Sequence, residues 1–112
     1  MKRIEWADGY IELFEDRLHL VQKFETYPEY YQEAGEMFIP YEQILQVGLS
    51  QDNGSLPERV LFRFVGGWKL EVACPKSRDP NPDWALENQA AKEAYAELVE
   101  MLREYHDTGG GA

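Results

Sequence analysis

Seven short segments with strand-like alternation are followed by one stretch of helical periodicity, and that order constrains the fold more tightly than any motif constrains the chemistry. The chain has 112 residues, enough for one domain around one core. Residues 1–108 are expected to form that domain, and 109–112 a flexible Gly-rich tail.

The first three segments read as a meander. Asp8-Gly9 is a two-residue turn signal between Arg3–Ala7 and Tyr10–Phe14. Pairing Ala7 with Tyr10 sets Trp6 against Ile11 and Ile4 against Leu13. A second turn at Glu15-Asp16 pairs Phe14 with Arg17, Leu13 with Leu18 and Ile11 with Leu20. One face then stays apolar across three strands, and a slip of one residue would invert it. Glu5, Glu12 and His19 occupy the other face, with Glu5 opposite Glu12 and His19 beside Glu12. His19 reads there as a solvent-facing strand residue.

Glu25–Glu36 breaks the period and reads as a loop; Met37–Tyr41 reads as a strand. Ile44, Val47 and Leu49 mark another strand. The step from Ile44 to Val47 does not alternate, so a tight turn is expected at its entry. Asp52-Asn53-Gly54 and Pro57 define the next loop. Arg59–Val65 and Trp68–Cys74 form the clearest hairpin. A three-residue loop, Val65-Gly66-Gly67, aligns Phe64 with Trp68, Phe62 with Leu70 and Val60 with Val72 on one face. Arg63 then meets Lys69, and Leu61 meets Glu71, on the other. Gly67 is expected to supply a positive φ, Trp68 to be buried and Leu61 exposed.

Asn81, Pro82 and Asp83 form a helix-start signal, with Asn81 as the cap. Ala91, Tyr95, Leu98, Leu102 and Tyr105 recur at helical spacing as a buried stripe, and Glu93, Glu97, Glu100 and Glu104 take the wet side. Trp84-Ala85-Leu86 also admits a last short strand, with the helix starting near Asn88.

Charge restricts the partners. The formal net charge is -10. No Lys or Arg occurs from Phe24 to Glu58, which carries Glu25, Glu29, Glu33, Glu36, Glu42, Asp52 and Glu58. Arg59, Arg63, Lys69, Lys76 and Arg78 make the one basic block. Phosphate backbones and anionic membranes would be repelled by most of such a surface, so neither nucleic acid nor membrane is expected as a partner. No run of apolar residues is long enough to span a bilayer. A single cysteine, Cys74, cannot form an internal disulfide, which favours a reducing, cytoplasmic setting.

The sequence assigns no catalytic residue. Of the two histidines, His19 reads as a solvent-facing strand residue and His106 suits the last helical turn, where a cation complements the dipole; no Ser lies in a Gly-x-Ser-x-Gly setting. Cys74 falls on the inward side of its strand and reads as a small core residue. Asp52-Asn53 and Asp79-Asn81-Asp83 lack the length and terminal Glu of a calcium loop. No cofactor or metal is therefore expected, and the chain reads as a non-enzymatic binding protein.

Tyr10-Ile11-Glu12-Leu13-Phe14-Glu15-Asp16-Arg17-Leu18 and Ile39-Pro40-Tyr41-Glu42-Gln43-Ile44, followed by the Leu61–Val72 hairpin and the helix stripe, carry a resemblance. From Ile4 to Tyr105 the chain resembles the pleckstrin-homology-like superfold, and its small bacterial members most. The resemblance implies an α+β, mainly β fold: a strongly bent antiparallel sheet, or partly open barrel, of about seven strands capped by one amphipathic helix. It also implies a binding scaffold. Lipid-binding members use a basic pocket near the first hairpin, which is acidic here; peptide-binding members use a groove between a sheet edge and the C-terminal helix.

The expected function is thus a protein-binding or adaptor module. Its partner is another protein, with a basic one favoured by the acidic surface. Glu25, Tyr27, Glu29, Tyr30, Tyr31 and Glu33 are the candidate contact residues, because tyrosines among acids offer apolar area and hydroxyls together. The same tyrosines would equally serve a loop folded back over the sheet. The alternative is a small acidic inhibitor, of the immunity or phage counter-defence type, that blocks a basic enzyme by charge mimicry. A ligand pocket in the barrel mouth is a third reading, and an unprotected edge strand leaves homo-oligomers open.

Overall fold

The computed structural model describes residues 2–23, 35–50, 57–77 and 79–107. The described residues form seven strands, divided between two antiparallel sheets. The first has the order β1 (Lys2–Trp6), β2 (Gly9–Leu13), β3 (Arg17–Gln22), β4 (Gly35–Pro40); the second has the order β5 (Ile44–Ser50), β6 (Arg59–Phe64), β7 (Lys69–Ala73). The α+β, mainly β class is therefore as read from the sequence, with the strands split four and three rather than joined in one hydrogen-bonded sheet.

The β2–β3 register is the expected one, with Leu13 opposite Leu18 and Ile11 opposite Leu20. The β1–β2 register differs. Trp6 pairs with Gly9 and Ile4 with Ile11, so the turn is Ala7-Asp8 and not Asp8-Gly9. Gly9 lies inside β2 because β3 approaches too closely for any side chain. A Cβ there would overlap the Val21 carbonyl oxygen. The turn is held from outside: the Ala7 N–H donates to the Pro75 carbonyl (2.9 Å), and the Asp8 carbonyl accepts from the Lys23 N–H (2.6 Å). The displacement is two residues, which preserves the faces, and Ile4, Trp6, Ile11, Leu13, Leu18 and Leu20 are all buried. Glu5 consequently faces Tyr10, and Glu12 faces Arg3. Gly35 and Glu36, read as loop, are paired residues of β4.

A 3₁₀ turn, Tyr41–Gln43, carries the chain from one sheet to the other. In β5 the register shifts between Ile44 and Gln46, a bulge that accounts for the broken alternation from Ile44 to Val47. The β6–β7 hairpin has the expected three-residue loop and register, with Phe62 opposite Leu70 and Val60 opposite Val72. Gly66 and Gly67 both take positive φ, 93° and 88°. Trp68, expected inside, is 74 % exposed. It sits at the hairpin tip, beyond the last buried pair of the sheet, with its indole against Gly66. Leu61 is half-buried.

Asp83, not Asn81, caps the helical region: its carboxylate accepts from the Ala85 N–H (3.1 Å), whereas the Asn81 N–H donates to Asp79 (2.8 Å) in the preceding turn. Trp84–Glu87 is one helical turn (α1), not a strand, and α2 runs Gln89–Asp107. Between them, buried Asn88 accepts the Glu58 N–H (3.0 Å) and ties the start of α2 to the approach to β6. Ala90, Ala91, Ala94 and Leu98 are buried, with Met101, Leu102 and Tyr105 partly so. Small residues at the start of this stripe let α2 lie close over both sheets; it touches β1 and β2 of one and β5 and β6 of the other. The core is thus the space between the two inner faces and the helix.

Candidate groove and a charged cluster on opposite sides of the core

The edge strand β5 and the last two turns of α2 enclose a groove of about 310 Å³. β5 pairs with β6 on one side only, so its other backbone edge is unpaired among the described residues. Ile44, Val47, Val99 and Leu102 supply an apolar floor. The bulge turns Leu45 outward to 70 % exposure at the rim. Arg103 and His106 line the helix side, beside Asp107. Cations at this position complement the negative end of the α2 dipole. Arg103 makes no ion pair with any described residue, and the His106 ring meets Tyr105 edge-on at 5.4 Å. Such a cleft offers main-chain hydrogen bonds along β5, apolar burial on its floor and, at one end, the Arg103 guanidinium with Asp107 beside it.

Sequence reasoning named the class of groove but none of its lining residues as a site. The broken step from Ile44 to Val47 was the available signal. It marks the bulge that pushes Leu45 into solvent.

On the outer face of the first sheet, His19 is enclosed rather than solvent-facing, with a side chain only 12 % exposed. Its Nδ1 lies 2.9 Å from Glu12 Oε1 and its Nε2 lies 3.0 Å from Glu36 Oε2. Its ring stacks on Phe38, with centroids 4.3 Å apart and planes within 4°. Tyr10 meets the ring edge-on at 6.1 Å. The hydrogen bond that the His19 ring donates to the Glu12 carboxylate raises the His19 pKa above its ordinary value; burial opposes this, and Glu36 adds to it. The Glu12 neighbour followed from the register, but Glu36 did not, because it was read as loop.

Cys74 is buried, as its strand position indicated, and burial pushes its thiol pKa far up. A small space of about 10 Å³ lies among Trp6, Phe62, Cys74 and Leu98. That is room for no more than one water, and its lining is apolar. Among the described residues it gives no support to a ligand pocket between the sheets. No group of three or more His, Cys, Asp or Glu among the described residues is arranged to hold a metal ion, and no described helix is long and apolar enough to cross a membrane. Glu25, Tyr27, Glu29, Tyr30, Tyr31 and Glu33 lie outside the described residues.

No protein-family model, no curated protein and no solved structure matches this chain.

Proposed function

We propose that this chain is a non-enzymatic protein-binding module of pleckstrin-homology-like fold that takes an extended segment of another protein into the groove between β5 and α2. The observation that carries this reading is the groove itself: a strand edge unpaired among the described residues, beside an apolar floor and closed on the far side by a helix. The arrangement of four strands, three strands and a plugging helix supports the fold assignment, with the two sheets as halves of one bent, partly open barrel. Strand addition needs only backbone groups for affinity, and side-chain pockets then select the sequence. The incoming segment would add to β5, place apolar side chains over Val47 and Leu102, and bring an acidic group to Arg103. The segment holding Glu25, Tyr27, Glu29, Tyr30, Tyr31 and Glu33 provides a second contact to the same partner.

Selection of a displayed random peptide library on the whole chain, followed by amide chemical-shift mapping of a selected peptide, tests this. Expected are shifts concentrated on residues 44–47 and 99–107, and loss of binding in Leu45→Lys at unchanged thermal stability. Shifts confined to other surfaces would overturn the reading. The rival, an acidic inhibitor of a basic enzyme, draws on Glu93, Glu100 and Glu104 on the exposed side of α2. It requires binding that collapses between low and moderate salt, whereas groove binding through backbone and apolar contacts is only weakly salt-dependent.

A further inference from the structure

We propose that His19 is a proton-operated clamp fastening the edge strand β4 to the β1–β3 meander, so that loss of one proton frees the first half of β4. The geometry requires two donors on one ring. Both ring nitrogens stand at hydrogen-bond distance from a carboxylate oxygen, 2.9 Å to Glu12 and 3.0 Å to Glu36. A carboxylate oxygen only accepts, and a neutral imidazole has a single N–H. The arrangement is satisfied only by the imidazolium, and deprotonation leaves one ring lone pair facing a carboxylate.

The two bonds are not equally held. Glu12 is 15 % exposed in its side chain and has a second partner in Arg3 (3.9 Å). Glu36 is 62 % exposed and makes no other ion pair with a described residue. Glu36 is therefore the one released. Its strand neighbour Phe38 is 58 % exposed and rests on the same ring, so the stacking of a cation on its π-face is lost in the same step.

The charges facing the ring come from every strand of the sheet. β1 contributes Arg3 and Glu5, β2 Tyr10 and Glu12, β3 Arg17 farther along the face and Lys23 just past its other end, over the Tyr10 ring (5.7 Å), and β4 Glu36. Arg3 pairs with Glu5 (2.9 Å) and lies over the Tyr10 ring (3.8 Å), and Arg17 pairs with Asp16 (3.0 Å), so neither takes over from His19 at Glu36. The raised pKa of His19 agrees with this placement. Its sign follows by linkage: the stabilisation is complete below the unfolded value near 6.5 and disappears as pH rises through the higher folded value.

The test is a pH titration of the intact chain by side-chain ¹⁵N shifts of His19, with amide-exchange protection of β4 corrected for intrinsic rates. Expected are two protonated ring nitrogens at the acid end and a midpoint above 6.5. Protection at Gly35 and Met37, the β4 residues whose N–H groups face β3, should fall about tenfold through that midpoint while β2 amides hold theirs. Glu36→Gln, an exposed change that leaves the core alone, should lower the His19 midpoint and flatten the β4 profile. His19→Gln should give low, pH-independent β4 protection. A wild-type midpoint at or below 6.5, or flat β4 protection across the titration, would overturn the clamp.

Discussion

The Tyr41 hydroxyl donates to the Phe14 carbonyl across 2.6 Å. This bond joins the 3₁₀ turn between the sheets to the β2–β3 turn, 27 residues earlier. The Tyr41 N–H donates to the Asp16 carbonyl (3.0 Å) at the same place, and the fully buried ring meets Tyr105 edge-on at 5.7 Å. Both sheets and the last turn of α2 thus converge on one side chain. Tyr41→Phe keeps the ring and strands the carbonyl, so it should lower stability by about 1–2 kcal/mol, read as a lower urea midpoint at unchanged slope. Burial, reinforced by the charge of Asp16, also holds the phenol well above the usual tyrosine range. In an alkaline spectroscopic titration the Tyr41→Phe variant should lack the last tyrosine to ionise.

Gly9 gives a sharper steric prediction. A Cβ at this position overlaps a main-chain oxygen of β3, and backbone cannot swing aside as a side-chain tip does. Gly9→Ala should therefore force β2 and β3 apart, costing on the order of 3–4 kcal/mol, among the largest effects of any single change in the chain. Thermal unfolding followed by circular dichroism measures it.

The β6–β7 hairpin separates backbone from side-chain effects at neighbouring residues. Trp68 is 74 % exposed, so Trp68→Phe should leave stability within about 0.5 kcal/mol of wild type. Gly67 stands at φ 88°, where an L side chain is strained, and Gly67→Ala should cost about 1–2 kcal/mol. Fluorescence provides a second check. Trp6 and Trp84 are each 8 % exposed, so Trp68→Phe should abolish most acrylamide quenching and leave a blue-shifted emission.

Cys74 is 1 % exposed, and burial keeps its thiol protonated far beyond the ordinary range. A disulfide reagent is attacked only by a thiolate that can reach it. Native protein should therefore react with such a reagent at the rate of unfolding, orders of magnitude below a free thiol, and react promptly in denaturant. Prompt labelling of the native state would show that β7 and the segment after it open far more readily than the packing implies.

What could be read from the sequence followed from periodicity. The alternation of Ile11, Leu13, Leu18 and Leu20 fixes one face, and only one register of β2 on β3 keeps it apolar. The aligned Val60, Phe62, Leu70 and Val72 do the same for β6 and β7. Features set by distant contacts were not legible. Gly9 resembles a turn glycine until the Val21 carbonyl is placed beside it. Trp68 resembles a core residue by alternation, but no packed layer extends to the hairpin tip. Asn81 and Asp83 are both competent caps, and the side-chain bond to Ala85 decides between them. The candidate groove escaped because its floor comes from residues more than 50 positions apart, each of which reads locally as half-buried strand or helix.

Leu45 and Leu98 divide the demands of folding from those of binding. Leu98 is completely buried under both sheets, and Leu98→Ala should cost about 3–4 kcal/mol by lost burial and the cavity left behind. That change loosens α2 as a whole, so the groove is lost together with stability and a binding defect in it says nothing about contacts. Leu45 is 70 % exposed on the bulge, and Leu45→Ala should move stability by less than about 0.5 kcal/mol. It nevertheless removes apolar area from the rim an incoming strand must cross. Peptide affinity measured by calorimetry should therefore fall severalfold in Leu45→Ala at an unchanged melting temperature. Equal affinity in the two proteins would place the contact surface away from β5.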